Sequence, residues 1–376
     1  MKTQEVIQGM GSLAKLESLV KENGYKKVLL ITGARSYENS AAKGIIESTL
    51  ADTTYSRLSG YLLYPRYEDV QTGLKVMQEL NPHVIVSIGG GTVMDMGKLL
   101  AAAYSTKQDF LSIIEGKESL GKVLVPHIVI PTTLGTGSEA THFAVVYVDG
   151  KKYSVGHPKM LPDFVILDPQ LVEGLDPFQS ASTGMDALCQ GIESYWSVNS
   201  TEESRGYARK AIEACMRYLE RVCTSPDNES REGMQLAAYY SGKAINITKT
   251  TAAHALSYHL TSTYNIPHGQ AVGLLIGWVF EENLKINAKN CADSRGVYFV
   301  RDCLTELMHM LGIQNELSVA PYFNGLLDRL GLQTNRFILN DDSKSELFHT
   351  VNAERLRNNP VIIKATKLEM LSNFRY

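Results

Sequence analysis

The segment Asn246–Gly273, NITKTTAAHALSYHLTSTYNIPHGQAVG, carries three of the chain's nine histidines: His254, His259 and His268. Imidazole is the most common protein ligand for transition metals. The surrounding Ala, Leu, Ser, Thr and Tyr residues suit a pocket wall better than a solvated face. Pro267 opens a new element, so a turn can carry His268 back toward His254. A lone histidine in such a setting is an ordinary core or capping group; a pair flanking a helix–Pro break points to ligands. The stretch lacks a carboxylate, so a metal site built on it must be completed from elsewhere. Thr183–Gln190, TGMDALCQ, supplies a candidate. Asp186 and Gln190 are four residues apart and share one helical face. Alone, Asp186 reads as a carboxylate near a helix N-terminus. With His254 and His268 it completes a mixed N/O set suited to Zn²⁺ or Fe²⁺, to which Gln190 can add an amide oxygen.

Two further stretches suit a nucleotide. Residues 83–88, HVIVSI, read as a buried strand and run into Gly89-Gly90-Gly91-Thr92, followed by a helical pattern over 93–104. Glycines there let backbone N–H groups approach a phosphate, and the helix N-terminus favours an anion. The spacing is not GxGxxG, so the usual dinucleotide fingerprint is not claimed. Asp95, one turn into the helix, either fixes the loop or meets a ribose or nicotinamide amide. A second strand, 127–130, ends in Pro131–Glu139, PTTLGTGSE, which offers the hydroxyls of Thr132, Thr133, Thr136 and Ser138. Two such loops at successive strand ends suggest one nucleotide lying across the sheet edge.

The elements that must position these groups follow from periodicity. Strands are expected at 26–32, 61–65, 83–88, 127–130 and 165–167, with helices over 36–49, 70–80 and 93–104. Residues 144–148 and 152–155 flank Asp149-Gly150, a hairpin signal. Alternating strands and helices predict a doubly wound parallel sheet over 1–175. Beyond 176 the pattern turns helical: 182–196, 202–222, 229–247, 251–263, 271–284, 297–311, 319–330 and 343–347. The reading is an α/β dinucleotide-binding domain (1–175) and an all-α metal- and substrate-binding domain (176–376), packed around a shared cleft. A net charge of −3 gives no reason to expect a nucleic-acid or membrane-surface partner. No apolar run reaches the length of a membrane span, and the first twenty residues are too polar for a signal peptide. Five cysteines without a CxxC fit reduced thiols and a cytoplasmic location.

Four segments together resemble the iron-containing (group III) alcohol dehydrogenase family: GGGTVMD at Gly89–Asp95, PTTLGTGSEAT at Pro131–Thr141, TGMDAL at Thr183–Leu188 and HALSYHLTSTYNIPHG at His254–Gly269. The resemblance runs over nearly the whole chain. It implies a dehydroquinate synthase-like architecture, NAD(P)H, a divalent metal and a homodimer. It also implies that Asp186, His254 and His268 match three of four metal ligands. Two positions depart from the family pattern. Gln190 stands where the fourth ligand, a histidine, is expected. Tyr258 stands where a second histidine near the nicotinamide is expected, with His259 about 100° away around the helix. Tyr258 is therefore a candidate to hydrogen-bond the substrate oxygen or a ribose. At the first strand end, Gly33 replaces the acidic residue common in NAD-preferring relatives, and Arg35 and Ser36 follow. That favours a 2′-phosphate and so admits NADPH beside NADH.

Within the family, SEATHFAVVYVDGKKYSV, MDALCQGIESYWSVNSTEES and INITKTTAAHALSYHLTS resemble phosphonoacetaldehyde reductases, which act in phosphonate biosynthesis. This implies reduction of phosphonoacetaldehyde to 2-hydroxyethylphosphonate. A small anionic aldehyde or alcohol needs a fixed cation and hydroxyl donors. Lys249, with Thr250 and Thr251, offers them just before the histidine helix; His142 and Lys152 are further candidates. Competing readings are a family member acting on another small alcohol or a sugar acid, a dehydroquinate-synthase-type lyase, and a metal-free inactive homologue.

Overall fold

Branched apolar runs build the centre of the first unit, Met1–Leu175. The computed structural model describes residues 3–60, 64–106, 109–118, 120, 124–333, 351 and 353–363. In chain order the first unit contains β1 (Glu5–Gln8), α1 (Lys15–Glu22), β2 (Lys27–Thr32), α2 (Arg35–Glu38), α3 (Ala42–Leu50), β3 (Thr54–Leu58), α4 (Tyr67–Leu80), β4 (Val84–Gly89), α5 (Gly91–Tyr104), α6 (Phe110–Ile114), β5 (His127–Pro131), β6 (Phe143–Val148), β7 (Lys151–Gly156) and β8 (Phe164–Leu167). Six strands form one parallel sheet in the order β1-β8-β5-β4-β2-β3. β2, β4 and β5 are buried on both faces, which explains their nearly unbroken Val/Ile/Leu composition. Leu29, Ile31 and Ile85 pack with Val70, Met77, Leu99 and Leu100 from α4 and α5 on one face. Val28, Leu30 and Val84 pack with Leu16, Val20, Ile46 and Leu50 from α1 and α3 on the other. This is the doubly wound arrangement the alternation predicts.

The register places Gly89 opposite Pro131, so the carboxyl ends of β4 and β5 lie side by side. The N–H of Thr132 donates to Gly89 O at 3.0 Å, which ties the two loops together at their roots. β6 and β7 make a separate antiparallel pair joined at Asp149-Gly150. Both turn residues have positive φ, as the hairpin signal requires.

Two local expectations fail. The second strand is β3, TYSRL, not 61–65; residues 61–63 lie outside the described residues, and Tyr64 and Pro65 lie in no strand. β3 is a half-exposed edge strand, so its composition is mixed and the neighbouring apolar run drew the assignment. The helix expected over 36–49 is two helices, and the Ser40 hydroxyl accepts from Ala42 N at 3.1 Å at the break. The four-residue β1 was not anticipated.

The second unit, Asp176–Tyr376, is helical throughout its described residues: α7 (Pro177–Trp196), α8 (Glu202–Thr224), α9 (Asn228–Thr248), α10 (Ala252–Tyr264), α11 (His268–Leu284), α12 (Val297–Leu311), α13 (Val319–Arg329) and a short helix Ala353–Arg357. The helix expected over 343–347 lies outside the described residues. α7 starts earlier than its apolar pattern suggested, because Pro177 sits in the first turn and Asp176 caps Gln179 N at 2.9 Å. α8 and α9 carry capping boxes, Thr201 with Ser204 and Asp227 with Ser230. α7 is buried from Ser180 to Trp196 apart from Thr183. A helix buried all round must satisfy its polar side chains internally, and three of them do so at one place. Among the described residues no helix is long and apolar enough to cross a membrane.

Candidate functional site

Asp186, Gln190 and Glu193 form an i, i+4, i+7 stripe along α7. Glu193, with 0% exposure, is the anchor. Its Oε1 accepts from Thr251 Oγ1 (2.7 Å), Ala253 N (2.8 Å) and His254 N (3.4 Å). The carboxylate therefore caps α10 from a neighbouring helix, with its charge at the positive end of the dipole. Thr251 holds the N-cap position without capping; its hydroxyl donates to Glu193 and accepts from Trp196 Nε1 at 3.0 Å. Glu193 Oε2 also binds His254 Nδ1. With Nδ1 fixed, His254 Nε2 faces Asp186 Oδ1 at 3.1 Å.

His268 is the first residue of α11, following Pro267. Its ring centroid lies 5.4 Å from that of His254. One ligand atom from each of Asp186, His254 and His268 lies within 4.8 Å of the others. Donors sharing one metal at about 2.1 Å stand about 3.0–3.5 Å apart, so a small inward movement would close this set on an ion. One carboxylate oxygen and two imidazole nitrogens, with a carboxylate behind one imidazole, is the donor chemistry of a borderline divalent metal.

The charges here are strongly coupled. Burial alone would lower the His254 pKa, but Glu193 and Asp186 outweigh it and raise the imidazole to about 10. Burial alone would raise Asp186; the hydrogen bond from His254, the neighbouring His268 and a hydrogen bond from Gln190 hold it down instead. Glu193 is likewise held below the usual carboxylate range, against its burial, by His254, Thr251 and Ala253.

Tyr258 lies one turn beyond His254, with its ring nearly parallel to His268 (5.9 Å, 14°). His259 is buried, and its ring meets the edge of Tyr264. Gln190, a candidate fourth ligand, has its Oε1 2.9 Å from Ser241 Oγ, while it hydrogen-bonds Asp186. Lys249 has a surface partner. It ends α9 at φ 57, and its half-exposed ammonium pairs with Glu354 at 2.5 Å. Its charge is thus shared with a half-exposed carboxylate. Glu193 itself was missed, although its position seven residues after Asp186 is the signal that finds it.

Gly269 explains the last part of the family-like run. A Cβ there would sit 1.9 Å from Ser182 O on α7. Backbone cannot yield to that extent, so Gly269→Ala should cost about 1–3 kcal/mol and displace His268. Metal analysis of the purified variant should show loss of bound metal; full occupancy would refute the link.

In the first unit, Gly89 has φ 155, and a Cβ there would meet Val93 Cγ2 at 2.5 Å. The turn into α5 thus depends on a missing side chain. Gly90 and Gly91 abut Thr133 and Thr136 across the two loops. Asp95 takes the first of its two expected roles. Its Oδ1 accepts from Ser138 Oγ (2.6 Å) and its Oδ2 from Val145 N (2.9 Å). Lys98, fully buried, donates to Ser138 Oγ (2.7 Å), Thr141 Oγ1 (2.9 Å) and Phe143 O (3.0 Å), and lies 3.4 Å from Asp95. Burial lowers its pKa, with Asp95 opposing. Ser138 is therefore engaged in this internal network, whereas Thr92, Thr132 and Thr136 stay partly accessible and the Thr133 hydroxyl is buried. Nearby Glu139, 2% exposed, is pushed up to about 7 by burial.

At the end of β2, Gly33 packs under Ser36: an added Cβ would lie 2.2 Å from Ser36 Oγ. Arg35, exposed, opens α2. A second cation comes from β3. Arg57 donates to Thr32 Oγ1 (2.9 Å) and Gly33 O (3.3 Å), and it also pairs with Glu38. It escaped the sequence reading because β3 was misplaced.

Known proteins match both units. The family model for iron-containing alcohol dehydrogenase matches residues 3–169, and the model for the C-terminal part of that family matches 180–339. The chain is 33% identical over 303 residues to phosphonoacetaldehyde reductase of Streptomyces viridochromogenes, covering 76% of this chain and 74% of that protein. It is also 33% identical over 300 residues to long-chain-alcohol dehydrogenase 1 of Geobacillus thermodenitrificans, covering 76% and 73%. Among solved structures, sulfoacetaldehyde reductase from Bifidobacterium kashiwanohense in complex with NAD+ superimposes with a TM-score of 0.87 at 25% identity, covering 99% of this chain and 96% of that one.

Proposed function

We propose, from the premise that this chain belongs to the iron-containing alcohol dehydrogenase family and is an oxidoreductase, that it reduces a small anionic aldehyde, phosphonoacetaldehyde to 2-hydroxyethylphosphonate. The observation that carries the chemistry is the Asp186–His254–His268 set, buried at Asp186 and His254 and half-buried at His268, with Glu193 behind it. For the substrate, the support is that two relatives are named for two-carbon aldehydes with a terminal anion, one a phosphonate and one a sulfonate. We assign NAD(P)H to the first unit and the metal and substrate to the second.

When bound, a divalent metal (Fe²⁺ or Zn²⁺) supplies Lewis-acid polarisation of a carbonyl oxygen, and a reduced nicotinamide supplies the hydride. The chain's own residues do the rest. Gly89, Gly90, Gly91 and Thr92 open a helix N-terminus to a diphosphate, and Thr132 and Thr136 offer hydroxyls to ribose or carboxamide. The absence of a carboxylate at Gly33, with Arg35 and Arg57 close by, supports use of NADPH as well as NADH. Glu193 holds His254 in the Nδ1–H form, which leaves Nε2 as the donor atom. Tyr258, stacked beside His268, carries a phenolic proton that it can give to the product oxygen.

The substrate anion needs a cation, and we keep Lys249 in that role with Thr250 and Thr251 beside it, since its half-exposed pair with Glu354 contributes only about 0–1 kcal/mol and can yield to a phosphonate. Lys249→Ala should raise KM for phosphonoacetaldehyde about 10-fold, the worth of a charge-assisted hydrogen bond, and leave propanal unchanged; no difference would remove Lys249 from the site. NADH and NADPH oxidation with both aldehydes reads the outcome. Equal efficiency of the wild type on phosphonoacetaldehyde and propanal would sink the anion-specific reading.

A further inference from the structure

We propose that the metal centre is a three-ligand, open site in which Gln190 is a positioning residue for Asp186 and not the fourth ligand. The inference rests on the metal-binding reading above and goes beyond it.

Gln190 is 4% exposed and lies one turn after Asp186 on α7. Its Oε1 is 2.9 Å from the hydroxyl of Ser241, a fully buried residue of α9. That hydroxyl also lies 2.9 Å from Ala238 O, so its hydrogen is shared between two carbonyl oxygens. A primary amide has one oxygen edge and one N–H edge. With the oxygen turned to Ser241, the edge facing Asp186 is the N–H edge. That edge gives a hydrogen bond to the Asp186 carboxylate, which orients it.

An amide N–H is not a metal ligand. For Gln190 to ligate, its amide would have to turn over. That would bring Oε1 toward the Asp186 oxygens, set acceptor against acceptor, and forfeit the bond that orients the carboxylate. A neutral amide oxygen is a weaker donor for Fe²⁺ or Zn²⁺ than imidazole, so little is gained in return. Three protein ligands leave one more position open than the four-ligand set that the family resemblance implies. The glutamine thus leaves a coordination position for the aldehyde oxygen while acting through Asp186.

The test uses the full-length protein loaded with Co²⁺, whose visible absorption reports ligand number and type. Gln190→Ala should weaken Co²⁺ binding, measured by chelator competition, about 10- to 100-fold, as outer hydrogen-bond partners do, while the absorption bands keep their positions and intensities. Ser241→Ala should behave the same way, with a smaller loss. Gln190→His should change the bands and tighten binding. Gln190→Met, close in size but without the amide, serves if the alanine variant fails to fold. A spectrum altered by Gln190→Ala or Gln190→Met, with bands marking loss of an inner ligand, overturns the proposal and leaves the metal reading intact. Failure of the wild type to bind stoichiometric Co²⁺ or Zn²⁺ overturns the metal reading, and this inference with it.

Discussion

Replacing Glu193 with glutamine is expected to weaken metal binding about 10- to 100-fold at neutral pH, without changing any of the three proposed ligands. Glu193 fixes the His254 tautomer, adds negative charge behind the imidazole and caps α10. The amide keeps the size and part of the capping but loses the charge. The same charge sets a pH signature. Before a metal binds, Glu193 and Asp186 overcome the effect of burial and raise His254 to about 10. Metal must therefore displace a proton, and apparent affinity should rise by about tenfold per pH unit through the neutral range. In the variant the imidazole loses its proton at lower pH, so the slope flattens sooner and the deficit against wild type grows as pH rises. Metal-competition titrations at three or four pH values measure both effects. A deficit independent of pH would mean that Glu193 acts only as a helix cap.

Lys98→Met is expected to produce the largest loss of stability, about 3–5 kcal/mol, because it breaks a fully buried charged network from one side. The variant leaves the buried hydroxyls of Ser138 and Thr141 without their shared donor and takes the neighbouring cation from the partly exposed Asp95. At about 2–4 °C per kcal/mol for a unit of this length, Tm should fall by about 10 °C in calorimetry of the full chain. Adding Asp95→Asn should restore part of the loss, since an uncompensated charge is then removed. A change below about 1 kcal/mol would show that Lys98 sits there neutral and dispensable. The prediction also bears on cofactor binding, because the network joins the start of α5 to the threonine loop and to the β6–β7 hairpin.

What could be read from the sequence follows the strength of local signals. β2, β4 and β5 are apolar because both faces are covered, and that composition is visible in a single chain. β1 and β3 lie at the sheet edges, where half-exposed strands mix polar and apolar residues, so one was missed and the other misplaced. Misplacing β3 hid Arg57 as well. In the second unit, Asp186, His254 and His268 stood out because their chemistry is unusual for buried helices. Glu193 and Lys98 did not, because a Glu or Lys within a helix is common in sequence and rare only once its burial is known. The pairing of Lys249 went unseen for the converse reason: its partner Glu354 is more than a hundred positions away in sequence. Long-range pairing of charges leaves no local trace.

The edge strand β1 has a consequence for synthesis. Its partner is β8, which pairs Glu5 with Phe164 and Gln8 with Leu167. β1 must wait, unpaired, until almost all of the first unit has left the ribosome. β2, β3, β4 and β5 can assemble meanwhile, since their partners emerge sooner. Closing a loop of that length is slow compared with local pairing, and domains of a nascent chain generally fold as units, the N-terminal one first. A ribosome-bound chain stopped short of β8 would carry a bare sheet edge on β5, open to pairing with any extended segment nearby. Completion of the first unit is thus timed by its last strand, just before the helix that carries Asp186 and Glu193 begins to emerge.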